Sequence, residues 1–377
     1  MSKETNHTTA EPESEPMRTT RRTALRGAGL AGILAMGASS TSARKGFSGV
    51  NANRAPSETS EDDESVPVTW ENYTRAESDT YFQGYAELGG FGEFYHLREL
   101  VPIDQQNVIQ MNRDTLYSVG IFDLTEPVTV TQPDTGDRYQ LLIVIDQDHY
   151  VKGASTTAGE FTLTEDAVGT RYGLVLVRTL FDPNDPDDIE AVHAIQDEIT
   201  ASQRSTGTFE IPNWDQESLE QIREALITVG VTMSDSRGVW GEADEVDPVK
   251  HLLGTAIAWG GSPGTDEFVL WRTPEQNDGD TPHTLTVDDV PVDGYWSVTV
   301  YNSDWYLEEN KYDAYAINNV TAERDDDGDV TIHFGGDPDQ PNFLYTPEGW
   351  SYTVRLYEPR EEILNGSYQF PEAEPVE

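Results

Sequence analysis

The chain has 377 residues, of which 69 are acidic and 24 are basic, so its formal net charge is −45. Such an excess of carboxylates excludes nucleic-acid binding, which requires a basic surface that neutralises phosphates. Cysteine is absent, which excludes disulfides, thiol nucleophiles and thiolate metal sites. Because self-repulsion of this size is tolerated only where salt screens it over a few ångströms, the composition predicts an acidic, halophilic protein.

The N-terminal segment is typical of an export signal. Arg21 and Arg22 precede an uncharged run over residues 27–42, and small residues follow at 41–43. Two arginines ahead of a moderately hydrophobic segment are the pattern of a twin-arginine signal. Residues 1–43 are therefore predicted to be a signal peptide, and the mature protein is expected outside the cell or at its surface. No later stretch is long enough to span a bilayer, so no membrane span is expected there.

The signal is followed by a polar segment and then by the first ordered element. Residues 44–66 are rich in Ser, Glu, Asp and Asn and contain almost no apolar side chains. This composition predicts a disordered acidic linker. The next pattern, residues 74–77, fits a capping box that opens a helix with Tyr81 and Tyr85 on one side.

Strand patterns begin near residue 116 and return near residue 266. The apolar runs at 141–145 and 174–177 lack alternation, which indicates strands covered on both faces. Beyond residue 266, short strands separated by turn residues are typical of a sandwich or jelly roll.

Between the two strand-rich regions, residues 219–229 have the period of an amphipathic helix. The predicted fold class is α+β, mainly β, with two β-rich lobes of sandwich or jelly-roll character joined by a helical segment. The predicted divisions are an N-terminal β-rich domain at 67–205, a helical connection at 206–265 and a C-terminal domain at 266–377.

Several motifs resemble a known pair of families. The first half carries NRDTLYS at 112–118, GDRY at 136–139 and IDQDHY at 145–150, and the second carries GYWSVTVY at 294–301 and RLYEP at 355–359. In these motifs the first half resembles the domain of unknown function 1254 and the second half resembles its companion, 1214. With its acidic composition, the chain resembles a haloarchaeal type of this pair. The resemblance implies β-rich halves, frequent secretion and no established activity.

A polar loop just before the first predicted strand, which begins near residue 116, is one candidate site. Asn112, Arg113, Asp114 and Tyr117 are grouped where a loop presents side chains at the end of a sheet. An arginine beside a carboxylate and an amide suits an anionic or hydroxylated ligand, with Asp114 as a base. Alternatively, the Arg–Asp pair only fixes the loop.

A second candidate follows the apolar run at 141–145. Asp146 and Asp148 share one face of an extended chain, and this arrangement predicts a calcium site as one alternative. The other alternative is that Arg178, at the end of another apolar strand, neutralises Asp146. His149 is a candidate general base, or else a hydrogen-bonded structural histidine.

The second half contributes further candidates. Alternation in residues 294–301 and 349–358 places Tyr301 and Arg355 on one polar face, if the two strands lie in one sheet. That face suits either a ligand or packing against the first half, as domain contacts are commonly polar. Trp259 is a candidate aromatic wall of a cleft, or else a core residue.

These candidates lead to two functional hypotheses, and a purely structural envelope protein is a third possibility. One is an exported hydrolase acting on a small or cell-envelope-derived substrate in a cleft between the lobes. The alternative is a non-catalytic carbohydrate- or peptide-binding module of the cell surface, with a small molecule or glycan as partner. Convergence of Asp114, Asp148 or His149 within about 3 Å of one another in a pocket would favour catalysis, because proton transfer needs that reach. Scattered residues, or residues buried in separate ion pairs, would favour the binding module. The reaction, any cofactor and the oligomeric state stay open.

Overall fold

The protein was analysed as a computed structural model, which describes residues 65–106 and 108–376. The predicted signal peptide and nearly all of the predicted acidic linker lie outside the described residues. The described chain forms sixteen strands in four sheets and six α-helices. The mainly β, α+β fold class is therefore confirmed.

The helices occur at the start of the described chain and between the sheets. A π-helical turn at Ala86–Gly90 extends the first helix, and a 3₁₀ turn lies at Ile103–Gln105. The α-helices are α1 (Tyr73–Tyr85), α2 (Glu165–Val168), α3 (Pro186–Glu198), α4 (Gln216–Gly230), α5 (Pro248–Ile257) and α6 (Glu361–Leu364).

The strands fall into two groups separated by α4 and α5. Those of the first half are β1 (Phe94–His96), β2 (Thr115–Asp123), β3 (Val128–Gln132), β4 (Gln140–Asp146), β5 (Val151–Ser155), β6 (Gly159–Leu163), β7 (Tyr172–Leu180) and β8 (Thr200–Gln203). Those of the second half are β9 (Glu267–Arg272), β10 (His283–Val287), β11 (Trp296–Tyr301), β12 (Ala316–Asn318), β13 (Val330–Phe334), β14 (Phe343–Leu344), β15 (Ser351–Tyr357) and β16 (Glu374–Pro375).

The first half is built on a five-stranded antiparallel sheet in the order β1-β2-β7-β4-β5. Every residue of β4 and β7 is buried, because each face of the sheet is covered. One face packs against the small sheet β6-β3-β8, with Val130, Val144 and Val177 in their shared core. The other face carries Ile143 and Leu176 into a core shared with the second half.

The second half is a sandwich of two four-stranded sheets, β12-β11-β15-β9 and β14-β13-β10-β16. Alternate side chains of β11 and β15, such as Val298 and Val354, fill the core between these sheets together with Ile332 of β13. The opposite face of β11 and β15 therefore points away from the sandwich core, towards the first half.

The seam between the halves is polar and aromatic, as the register of β11 and β15 requires. Ser297 pairs with Arg355 across the two strands, so both lie on the outward face. On the same face Tyr295 and Tyr357 stack at 4.0 Å, and Tyr139 of the first half packs against both of them. The predicted polar face thus packs against the other lobe.

Helices α1, α4 and α5 pack together beside this seam. The predicted capping box of α1 is wrong: the helix begins at Tyr73, and its N-cap residue, Asn72, makes no side-chain capping bond. Glu77 belongs instead to an inward-facing row that continues with the partly buried Tyr81 and the buried Tyr85, because residues four apart share one helix face. No helix within residues 65–106 and 108–376 combines the length and apolarity needed to cross a bilayer.

Candidate functional site

A cavity of about 190 Å³ lies at the seam, between the five-stranded sheet, helices α1, α4 and α5, and strands β9 and β15. Apolar side chains form most of its wall, among them Leu97, Ile109, Met111, Leu176 and Val269. Its aromatic lining consists of Tyr81, Tyr85, Tyr117, Trp240, Trp259 and Trp271. A largely apolar concave space with a few polar groups is the usual form of a small-molecule site.

Trp259 is held rigidly at the cavity wall. Its indole ring stacks on Tyr81 at 4.3 Å and on His149 at 5.1 Å, and its ring nitrogen donates to Ser78 Oγ at 3.1 Å. Two stacked rings and one hydrogen bond thus fix the position of Trp259 in the wall.

A second aromatic wall comes from Trp240 and Trp271, which meet edge to face at 6.3 Å. Gly261 allows this arrangement: a Cβ atom there would lie 2.1 Å from Cε2 of Trp240. Close approach of backbone to indole is thus possible only without a side chain at this position.

The polar end of the cavity is organised by Arg178 of β7. Its guanidinium donates to Glu267 Oε2 at 2.6 Å, to Ser262 Oγ at 2.6 Å and to the carbonyl of Gly260. Burial opposes the charge of Arg178, but the Glu267 carboxylate holds its pKa above the ordinary value. This ion pair joins the first half to the second.

Arg355 of β15 extends the same network. It donates to the Gln110 carbonyl at 2.7 Å and to the Tyr301 hydroxyl at 3.0 Å, and its Nε lies 3.9 Å from Glu267 Oε1. Burial again works against the charge, while Tyr301, Tyr357 and Glu267 together raise the pKa of Arg355. The Glu267 carboxylate is thus the shared counter-charge of two buried guanidiniums.

A second buried ion pair lies on the helical side of the cavity. Arg223 of α4 contacts both carboxylate oxygens of Glu77, at 2.8 and 2.6 Å. Burial disfavours the charged form of Arg223, but Glu77 outweighs it and raises the pKa of the arginine. Bidentate geometry of this kind fixes both side chains, and with them the spacing of α1 and α4.

Gln110 has an unusual backbone. Its φ of 56° lies in the left-handed region, which a side chain normally disfavours. Its backbone N–H donates to the Trp305 carbonyl at 2.8 Å, and its side-chain oxygen accepts from the indole N–H of Trp271. Strained residues that are held by several contacts cluster at binding and catalytic sites.

Four of the sequence-predicted site residues line the cavity: Asn112, Tyr117, Trp259 and Arg355. Tyr301 lies behind Arg355 and donates to the Met111 carbonyl at 2.9 Å. Arg113 donates to the Val101 carbonyl at 3.2 Å and sits over the ring of Tyr315.

Asp114 does not reach the cavity wall. Its side chain is buried and accepts from the Asn318 amide at 3.1 Å. Burial raises its pKa, and contacts with Ser297, Arg355 and Asn318 oppose that rise. Asp114 therefore joins the loop to β12 instead of meeting a ligand from the cavity.

His149 is buried behind Trp259 and uses both ring nitrogens. Nε2 accepts from the backbone N–H of Gly260 at 2.8 Å, so the proton lies on Nδ1, which is 2.8 Å from Thr255 Oγ1. Burial and the neighbouring His251 lower its pKa well below the ordinary value. These contacts favour a structural role, in which neutral His149 positions the Gly260 loop.

Asp146 and Asp148 have separate partners. Asp146 accepts the backbone N–H groups of Asp148 and Tyr150, both at 2.9 Å, and Asp148 pairs with Arg75 at 2.6 Å. The alternative in which Arg178 neutralises Asp146 is wrong, because Arg178 pairs with Glu267. In residues 65–106 and 108–376 no group of three or more His, Asp or Glu side chains is placed to hold a metal.

Comparison with known proteins agrees with the motifs. Residues 91–203 match the family model described as protein of unknown function DUF1254, and residues 272–361 match the model described as protein of unknown function DUF1214. The chain matches both families, in that order. No curated protein matches it.

Two solved structures share the fold. The VPA0106 protein from Vibrio parahaemolyticus is 19% identical, with a TM-score of 0.59 over 82% of this chain and 98% of that chain. A putative uncharacterized protein from Burkholderia cenocepacia is 14% identical, with a TM-score of 0.50 over 81% of this chain and 87% of that chain. At these identities the likeness extends to the fold alone.

Sequence reasoning missed four charged groups of the cavity as site residues, namely Glu77, Arg178, Arg223 and Glu267, and considered Arg178 only as a partner of Asp146. A signal was present for two of them. Glu77 lies four residues before Tyr81 on the buried side of a helix, and Arg223 lies four residues after the buried Leu219. A charge at a core position of an amphipathic helix requires a buried partner.

The first prediction concerns Asp146. Burial raises its pKa from 3.8 to about 6, so the protonated form is favoured in the folded state. Protonation of Asp146 therefore stabilises the fold fully below pH 3.8, and this stabilisation is lost as the pH rises through about 6. Asp146→Asn removes the titration. The free energy of unfolding of the variant should therefore rise by about 1–3 kcal/mol relative to that of the wild type between pH 4 and pH 7. Urea unfolding in molar NaCl measures the difference.

A stability difference that does not change with pH would contradict the raised pKa of Asp146. Calcium provides the second arm of this experiment. Calcium that stabilises the wild type but not Asp146→Asn would favour the metal site predicted at Asp146 and Asp148.

The second prediction concerns the shared carboxylate. Glu267→Gln leaves two buried guanidiniums without a full counter-charge, so unfolding should require about 3–5 kcal/mol less free energy. Asp197→Asn is the matched control, since Asp197 pairs with Arg98 but is 68% exposed. It should change stability by no more than about 0.5 kcal/mol. Equal effects of the two substitutions in urea unfolding would refute the importance of the network.

Proposed function

We propose that this protein binds a small, largely apolar molecule in the cavity at the seam and performs no chemistry on it. The observation that carries this proposal is the largely apolar concave space of about 190 Å³ between the two halves. Two buried ion pairs, Arg178–Glu267 and Glu77–Arg223, border the space and hold its walls in place.

The volume supports a ligand of about one ring. An apolar cavity of about 150 Å³ in another protein holds a benzene molecule. The present cavity, at about 190 Å³, therefore accommodates a single ring with a small substituent. Aromatic side chains such as Trp240, Trp271 and Tyr117 suit the edges and faces of such a ring.

Two of the earlier hypotheses receive less support. Asp114, Asp148 and His149 are occupied by different partners, namely Asn318, Arg75 and Thr255, so they do not form an acid–base pair. A hydrolase would need such a pair. A sugar carries hydroxyls on every side, and a mostly apolar wall leaves them without partners. A small apolar ligand fits the geometry better than a glycan.

We propose that binding takes place outside the cell, after export by the twin-arginine pathway, and in a saline habitat. The support comes from Arg21, Arg22 and the acidic composition. Replacing both arginines by lysines keeps the charge but removes the guanidinium pair. In a haloarchaeal host we expect the exported fraction to fall at least tenfold, as measured by immunoblotting of cells and medium. Unchanged export of the variant would reject this route.

The binding proposal is tested with toluene as the probe. Toluene should raise the thermal unfolding midpoint of the full chain in molar NaCl, because a ligand of the folded state stabilises it by mass action. Val269→Phe places a ring in the cavity and should weaken toluene binding at least tenfold by calorimetry, while the unfolding midpoint of the free variant stays within a few degrees.

Val354→Phe is the matched control, because Val354 lies in the filled core of the sandwich. The same enlargement there should destabilise the fold by about 1–3 kcal/mol and leave toluene affinity unchanged. If toluene does not bind the wild type, or if both variants lose binding equally, the cavity is not the binding site.

A further inference from the structure

We propose that the cavity selects a ligand with an anionic head, namely a single-ring carboxylic acid, and that Gln110 and Arg178 donate hydrogen bonds to its carboxylate. This inference rests on the binding function proposed above and names the chemical class of the ligand. Its observations are separate: they concern hydrogen-bond donors and charge, whereas the binding function rests on the shape of the cavity.

The orientation of the Gln110 side chain follows from its neighbour. The indole nitrogen of Trp271 can only donate a hydrogen bond, so the atom of Gln110 that it contacts must be the oxygen. The Nε2 amino group therefore points elsewhere. It is buried and has no hydrogen-bond partner among the described residues, and Gln110 is one of the residues that line the cavity.

Arg178 also has a free donor. Its two terminal nitrogens are used by Glu267, Ser262 and Gly260, whereas its Nε–H has no partner in the described part of the chain. Arg178 is 6% exposed and Gln110 is 7% exposed, so solvent does not readily satisfy these groups. A buried donor without a partner costs about 1–3 kcal/mol.

The two free donors belong to one network. Arg355 donates to the Gln110 carbonyl and approaches Glu267, which pairs with Arg178. Both residues line the same cavity. The left-handed backbone of Gln110, held by Trp305 and Trp271, keeps its amide at this position. A carboxylate has two acceptor oxygens, one for each of these donors.

The buried charges that line the cavity also favour an anionic ligand. The buried charged groups that line the described cavity are three arginines and two glutamates: Arg178, Arg223, Arg355, Glu77 and Glu267. Each glutamate has a close arginine partner, and Arg355 lies 3.9 Å from a carboxylate that Arg178 already holds. Asp114 is nearby but does not line the cavity, and burial raises its pKa. In a chain with a net charge of −45, these buried groups thus carry one excess positive charge. Glu99 also lines the cavity, but it is exposed, so the excess of one positive charge applies to the buried lining groups.

The test compares probes of equal size: toluene, benzaldehyde, benzoate and benzylammonium. Calorimetry with the full chain is carried out in molar NaCl, which screens the surface charge over about 3 Å. Benzoate should bind at least tenfold more tightly than toluene, because hydrogen bonds to a charged group are the strong ones. Benzylammonium should bind least, since it offers no acceptor.

Gln110→Glu is the decisive variant. One carboxylate oxygen can still accept from Trp271, but an acceptor replaces the Nε2 donor. The preference for benzoate over toluene, measured as the ratio of their two dissociation constants, should disappear. Toluene binding also reports that the variant is folded. Gln110→Met, which has neither donor nor charge, provides a second variant and should also lose the preference.

The outcomes separate the two proposals. If toluene binds and benzoate binds no more tightly, the anionic head is refuted and the binding function stands. If benzaldehyde equals benzoate, the ligand needs a carbonyl acceptor and not a charge, and the inference is overturned. If no probe binds, the binding function fails and this inference fails with it. Retention of the benzoate preference in both Gln110 variants would remove Gln110 from the site.

Discussion

Glu267 lies between two buried arginines, Arg178 from the sheet of the first half and Arg355 from its own sheet. Removing an ionised side chain from water is costly unless an opposite charge is close. Without its partners, each of these three charged side chains would destabilise the core. The two halves must therefore meet with Arg178 beside Glu267, and this requirement fixes how the five-stranded sheet sits against the sandwich.

The cavity follows from this arrangement. Side chains that pair with each other at the seam, such as Arg178 and Glu267, cannot also fill the space between the helices and β9. The aromatic rings around it are large and rigid, and Trp259 and Trp240 are each held by close neighbours. A rigid wall around an incompletely filled space favours binding, because little ordering remains to be done when a ligand enters.

The groups that look catalytic in sequence serve to position this wall. Gly260 illustrates the point: its N–H donates to His149, and its carbonyl accepts from Arg178. The histidine thereby fixes one side of the loop and the ion pair fixes the other. Asp114 acts similarly between its own loop and β12. A buried polar residue with all its partners inside the protein is a structural element, whatever its chemical capacity.

Local patterns determined much of the fold. The apolar runs at 141–145 and 174–177 lie in β4 and β7, which are buried on both faces as their lack of alternation predicts. Alternation placed Tyr301 and Arg355 on the same face. Only the tertiary structure decided the charged partners. Glu77 and Arg223 are 146 residues apart, and Arg178 and Glu267 are 89 apart. Periodicity depends on neighbours within a few residues, whereas a buried ion pair depends on which surfaces meet after folding, and no local pattern encodes that.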